Sequence, residues 1–163
     1  FKNISIFNAA HEQLFSSNKR IFPHDLMKKI DSITYKRPTA LQILDASHFA
    51  TDKNALIFYY VPIMEYGKLV GIALVQENME KIQSILEERT GMGATGESYI
   101  VGHDYRMRTR SRFFPQRHPG NILVRTEAVI NSFANQPGNG ILTDYRNVRV
   151  LSVYRAINNV DLE

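Results

Sequence analysis

The run GMGATGESYIVGHDYRMRTRSRF, Gly91 to Phe113, carries Arg106, Arg108, Arg110 and Arg112 at alternate positions. In an extended backbone alternate side chains share a face, so the arginines would lie together, opposite Met107, Thr109, Ser111 and Phe113. Such a stripe can grip nucleic-acid phosphates or form the solvated outer face of a half-buried antiparallel strand. Sheets that stack bases interleave their cations with aromatic rings. Here the interleaved residues are Met, Thr and Ser, which favours the outer-face reading. In the same run, Gly91-x-Gly93-x-x-Gly96 spells the dinucleotide fingerprint. That motif must follow a strand and open a helix, whereas here a predicted helix ends and a strand begins.

Other reactive residue types are dispersed. Asp45, Ser47 and His48 are the types of a hydrolase triad, but no strand-turn-helix surrounds the serine, so a surface loop is the better reading. Histidines 11, 24, 48, 103 and 118 lack metal-ligand spacing. There is no cysteine, which excludes disulfides, thiol nucleophiles and thiolate metal sites. Glu87-Glu88 lies on the wet face of a predicted helix. No constellation supports an enzyme, and no cofactor is expected. Two features stay open: Asp144-Tyr145-Arg146 and Tyr154-Arg155 set a tyrosine beside a charge on a predicted hairpin. Each tyrosine is either core packing with a satisfied hydroxyl or the lining of a ligand pocket.

The elements that would position these residues change period along the chain. Ile4, Phe7, His11 and Leu14 fall at helical spacing and predict an N-terminal amphipathic helix. A short helix follows Pro23, with Leu26, Met27 and Ile30 on one side, and Arg37-Pro38 stops it. Strands are predicted at Leu41 to Ala46, Ala55 to Met64 and Leu69 to Gln76, the last two joined by a turn at Glu65 to Lys68. Met79 to Thr90 is the best helix, with Met79, Ile82, Ile85 and Leu86 facing inward and Glu80, Gln83, Glu87 and Glu88 facing water. Gly91 and Gly93 end it. Ser98 to Val101 and Tyr105 to Phe113 are predicted to pair across Gly102-His103-Asp104. Thr126 caps a helix to about Asn135, with Val129, Ile130 and Phe133 inward, and Gln136 to Gly140 break it. Ile141 to Tyr145 and Val148 to Ile157 form a hairpin across Arg146-Asn147. Helices joining short antiparallel strands make the class α+β.

With 163 residues, 44% hydrophobic and 22% charged, the composition is globular. The net charge of +4 is spread along the chain, whereas nucleic-acid domains concentrate theirs. No apolar run approaches the roughly 20 residues of a membrane helix. The chain opens at Phe1 with neither methionine nor signal-like region, so it reads as a piece of something longer.

The Gly91 to Phe113 run resembles a recurrent stretch of the double Cache family, the extracytoplasmic PAS-like sensor modules of bacterial and archaeal receptors. Pro62-Ile63, Gly67 to Gly71 and Gln76 are similar to the hairpin closing that family's membrane-distal module. Ile82 to Arg89 resembles its connecting helix. Thr143 to Arg146 with Val150 to Tyr154 resembles the later hairpin of the membrane-proximal module. The likeness covers about Leu41 to Glu163. It departs at Ala94, where an acid is usual, at Arg110, where an aspartate is common, and at Asn147, where glycine is usual.

The resemblance implies antiparallel PAS-like sheets flanked by helices. Residues 1–78 would hold the N-terminal helix and part of the distal module. Residues 79–163 would hold the linker helix and proximal module, with the last strand trimmed. It also implies a non-catalytic, periplasmic or extracellular small-molecule sensor, membrane-anchored only through segments outside this chain. Its output would be a histidine kinase of a two-component system, a chemoreceptor or a nucleotide cyclase. The alternative is a soluble nucleic-acid-binding domain using the Arg106 to Arg112 strand. A homodimer through the N-terminal helix is a further expectation. Ligand-binding candidates are Tyr99, Met107, Thr109, Arg125, Asp144, Tyr145 and Tyr154.

Overall fold

The computed structural model describes residues 1–18, 22, 25–28, 30, 41–49 and 56–157. These form two compact units, the first reaching Met79 and the second beginning at Glu80. Among the described residues no helix is long and apolar enough to cross a membrane.

The first unit is built on a five-stranded sheet: β1 (Asn3–Asn8), β2 (Gln13–Ser16), β3 (Gln42–Asp45), β4 (Ile57–Glu65) and β5 (Lys68–Gln76). The strand order is β2-β1-β5-β4-β3, and every pair is antiparallel. The β4–β5 hairpin forms because aromatic and β-branched runs flank Tyr66-Gly67, both at positive φ, which matches the twist of paired strands. Register then aligns Leu44 with Phe58, Tyr60 with Leu74, and Ile72 with Phe7 on one face. That face is the core, closed by Phe22, Leu26 and Ile30. The last two belong to α1, whose described helical residues are 25–28 and 30.

The expected N-terminal helix is not present; the segment is the β1–β2 hairpin. Burial along β1 has period two, with Asn3, Ser5 and Phe7 inward, while Ile4, Leu14 and Phe15 are exposed. The inward polar groups are satisfied locally. Asn3 Nδ2 donates to Ser5 Oγ, Ser5 Oγ to Ser16 Oγ at 3.0 Å, and Ser17 Oγ to Asn3 Oδ1. The helix face on which a homodimer was expected therefore does not form.

The second unit contains α2 (Met79–Leu86) from Glu80 on, α3 (Glu127–Phe133), and a two-stranded sheet of β6 (Gly138–Thr143) and β7 (Arg149–Tyr154). Its core is Met107, Ile122, Val124 and Val129, with Tyr99, Val101, Tyr105, Phe114, Phe133 and Tyr145 packed around it. The β6–β7 turn runs through Asp144, whose carboxylate accepts the Arg146 and Val148 amides, and Asn147 takes the positive φ of 64°.

Three local expectations are corrected here. On α2 the inward residue is Gln83, whereas Ile85 is exposed. Thr126 holds the N-cap position of α3, but its hydroxyl makes no capping bond and is buried without a partner; Ile130, expected inward, is half-exposed. The strands expected at Ser98 to Val101 and Tyr105 to Phe113 reduce to two isolated bridges, Val101 with Met107 and Arg106 with Leu123. The cause is competition for backbone donors. Side-chain oxygens take the Ile100, Arg110, Arg112, Phe113 and Phe114 amides.

Candidate functional site

Without a regular strand, the arginines do not share an outer face. Met107, Arg108 and Thr109 are buried in succession. Arg106 donates to Gly120 O at 2.9 Å. Arg108 is only 6% exposed, pairs with Asp104 at 2.8 Å, and donates to Arg106 O. Arg110 reaches Glu80 and Glu87 of the α2 segment, both at 3.4 Å. Arg112 donates to Gly96 O at 2.8 Å. Each arginine is therefore held by a different acceptor. No open stripe is left.

The same contacts build a cleft of about 150 Å³ lined by α2 residues Gln83 and Leu86, the 87–98 segment, and residues 110–112 with Pro115. Gly91 and Gly93, at φ 79° and 60°, turn the chain out of the helix in a conformation that glycine accepts without strain. Gln83 is 6% exposed because it works on both sides: its Nε2 donates to Glu87 and its Oε1 accepts the Arg110 amide at 2.6 Å.

Beside the cleft runs a hydrogen-bond chain. Ser111 Oγ accepts the Phe113 and Phe114 amides at 3.1 Å each. Tyr145 Oη donates to Glu97 Oε2 at 2.6 Å, so its contact with Ser111 Oγ at 2.7 Å is donated by the serine. Glu97 Oε1 accepts the Arg112 amide at 2.6 Å. Burial, then the bond to Glu97, raises the Tyr145 phenol well above its ordinary value. Tyr99 meets the Tyr145 ring edge-on at 5.5 Å, and its phenol is pushed up to about 12 by burial and then by the Glu97 and Asp144 charges. Burial works to raise the Asp144 carboxyl, but hydrogen bonds from the Arg146 side chain and the Val148 and Arg146 amides outweigh it and hold it low. Arg146 in turn lies 3.6 Å over the Phe113 ring. Both phenols are thus neutral, and Tyr145 donates its proton to Glu97.

None of the seven residues expected to bind a ligand lines the cleft. Tyr99, Asp144 and Tyr145 belong to the wall network just described. Met107 is wholly buried core, and Thr109 Oγ1 is used by the Ile100 amide. Tyr154 lies apart, accepting from Asn131 Nδ2 at 3.2 Å, and Arg125 is exposed with its guanidinium 5.3 Å from the Tyr105 ring centre. The residues that do form the cleft include Gln83, Arg89, Met92 and Glu97, which sequence reasoning passed over. The available signal was a glutamine flanked by Glu80 and Glu87 at helical spacing, and a lone acid between Gly96 and Ser98.

The other reactive types are engaged structurally. Asp45 Oδ1 accepts the Ser47 amide, Ser47 Oγ accepts the Leu56 amide, and His48 packs on Phe49. Among the described residues no group of three His, Cys, Asp or Glu is placed to hold a metal. Compared with known proteins, the chain matches no family model, no curated sequence and no solved structure.

Proposed function

We propose that this chain is the small-molecule-sensing segment of a membrane signalling receptor, exposed to the periplasm or the exterior and non-catalytic in itself. The observation that carries this reading is the cleft of about 150 Å³ between the α2 end, the glycine-rich turn and the arginine segment. It lies in the stretch that resembles double Cache modules. The first unit's antiparallel sheet, with its first strand paired on both sides, is consistent with a PAS-like module. A sensor acts only if its ligand binds one conformation better than another. A cleft that shares residues with a helix offers such a difference. The nucleic-acid alternative has less support, because Arg108 is buried and each arginine has its own acceptor.

A thermal-shift screen of small metabolites on the intact chain, beside DNA and RNA titrations across a salt series, tests this reading. A saturable small-molecule hit, with no salt-sensitive nucleic-acid affinity, is expected. Tight nucleic-acid binding that falls steeply with salt, with no small-molecule hit, refutes the proposal.

A further inference from the structure

We infer that the cleft of the second unit accepts a small organic oxyanion, a carboxylate on a short apolar body, and that this anion competes with Glu80 and Glu87 for Arg110. The inference deepens the sensing reading by naming a ligand class, and rests on that reading only for its biological role.

The charge balance comes first. The cleft is lined by Arg89, Arg110 and Arg112 against Glu87 and Glu97, and Glu80 reaches Arg110 from outside the lining, so the charges match and the question is which donors are already used. Both Glu97 oxygens are already engaged, by the Arg112 amide and the Tyr145 hydroxyl. Arg112 uses only Nη1, toward Gly96 O and Gly93 O. Its Nε and Nη2, and the Arg89 guanidinium, meet no acceptor among the described residues. Donors are therefore in surplus where the cleft opens, and a planar guanidinium matches a carboxylate with two parallel bonds.

Arg110 supplies the coupling. Its contacts with Glu80 and Glu87 are all 3.4 Å long and exposed, against about 2.7–2.9 Å for a well-made charged hydrogen bond. Such contacts are replaceable. The backbone of Arg110 is anchored independently, through its amide to Gln83 Oε1 at 2.6 Å, so the guanidinium can change partner while the residue stays in place. An anion that wins Arg110 takes away one of the attachments of α2.

Size and walls select the body of the ligand. The volume of about 150 Å³ lies below the roughly 300–1,000 Å³ of pockets for drug-sized ligands, so it suits a small molecule. Leu86, Met92 and Pro115 contribute apolar wall, which a hydrocarbon stem can cover and an inorganic anion cannot.

The test is an amide NMR titration of the whole chain with sodium butyrate, with sodium phosphate as a second arm and sodium chloride at matched ionic strength as control. Saturable shifts are expected at the amides of Gly96, Arg110 and Arg112, with butyrate binding more tightly than phosphate. Arg112→Gln should weaken butyrate about tenfold, as loss of a charge-assisted bond does. Glu80 is 76% exposed, so Glu80→Gln should change stability little, as loss of an exposed ion pair does. By removing a competitor it should tighten butyrate about two- to fivefold, the range of an exposed ion pair. Shifts that chloride reproduces, phosphate binding as tightly as butyrate, or Glu80→Gln leaving the affinity unchanged each overturns the inference. A metabolite found to bind elsewhere while this cleft stays silent overturns it too, yet leaves the sensing reading standing.

Discussion

Gly102→Ala probes the buried arginine directly. A β-carbon on Gly102 would lie 2.1 Å from Arg108 Nη2, 2.3 Å from Cζ and 2.7 Å from Nε. Gly102 is not among the residues at positive φ, so alanine meets no backbone strain and the cost is steric alone. The guanidinium must leave its slot, giving up Asp104 at 2.8 Å and Arg106 O at 3.0 Å. A hydrogen bond between charged groups contributes about 1.5–3 kcal/mol and a typical one about 1 kcal/mol. Asp104 is 38% exposed and regains water, which offsets part of the loss. The expected destabilisation is about 2–3 kcal/mol, read as a lower urea midpoint at unchanged m. In an Arg108→Met background the obstructing group is gone, and Gly102→Ala should cost under about 0.5 kcal/mol, a coupling near 2 kcal/mol. Equal costs in the two backgrounds would refute the reasoning, as would a neutral Gly102→Ala.

Tyr145→Phe strips Glu97 Oε2 and Ser111 Oγ of their shared partner and should cost about 2 kcal/mol in urea unfolding, as a hydrogen bond to a charged acceptor does; a change below about 0.5 kcal/mol would place Glu97 in solvent contact instead. The Asp144 carboxyl is held below its ordinary 3.8, so its contribution to stability is present above that value and is lost as pH falls through the lower folded value. Asp144→Asn should therefore be less stable than the parent at neutral pH, with the gap closing in acid; a pH-independent gap in denaturation midpoint contradicts the sign. Phe7 is 2% exposed and packs edge-on against Phe22 at 5.4 Å, so Phe7→Ala should cost about 3–5 kcal/mol. Ile4→Glu, on the open face of β1, should cost under about 0.5 kcal/mol; calorimetry showing equal losses would restore the helical reading of this segment.

How much was legible follows from which interactions are local. The β4–β5 hairpin was readable because its turn glycine and its aromatic and β-branched runs lie side by side in the chain. The β1–β2 hairpin was not, because its buried set is Asn3, Ser5 and Phe7. Two polar residues hide a period of two, while Ile4, Phe7 and Leu14 imitate a helical stripe. Those polar side chains are buried at tolerable cost only because Ser16, at the end of a strand still to be paired, and Ser17 just after it complete their hydrogen bonds.

The same reasoning explains why the α2 face and the arginines were misread. A hydrophobicity pattern assigns Gln83 to water and Ile85 to the core, and it is right wherever burial is apolar. Here Glu80 and Gln83 of the helix, with Glu87 just past its end, meet Arg110, a residue 27 positions from Gln83. Alternation of Arg106 to Arg112 implies one shared face only where the backbone amides are spent on a ladder. In this chain Gln83 and Glu97 accept the Arg110 and Arg112 amides, so the backbone is free to turn each arginine toward its own acceptor. The binding candidates lie off the cleft for a related reason. Tyrosines beside charges mark a buried polar network as readily as a pocket, and the partner that decides between them, Glu97, lies 48 residues from Tyr145. An anion site needs donors in surplus, and the donors that would supply it here, on Arg89 and Arg112, stand out only when the acceptors around them are counted in three dimensions.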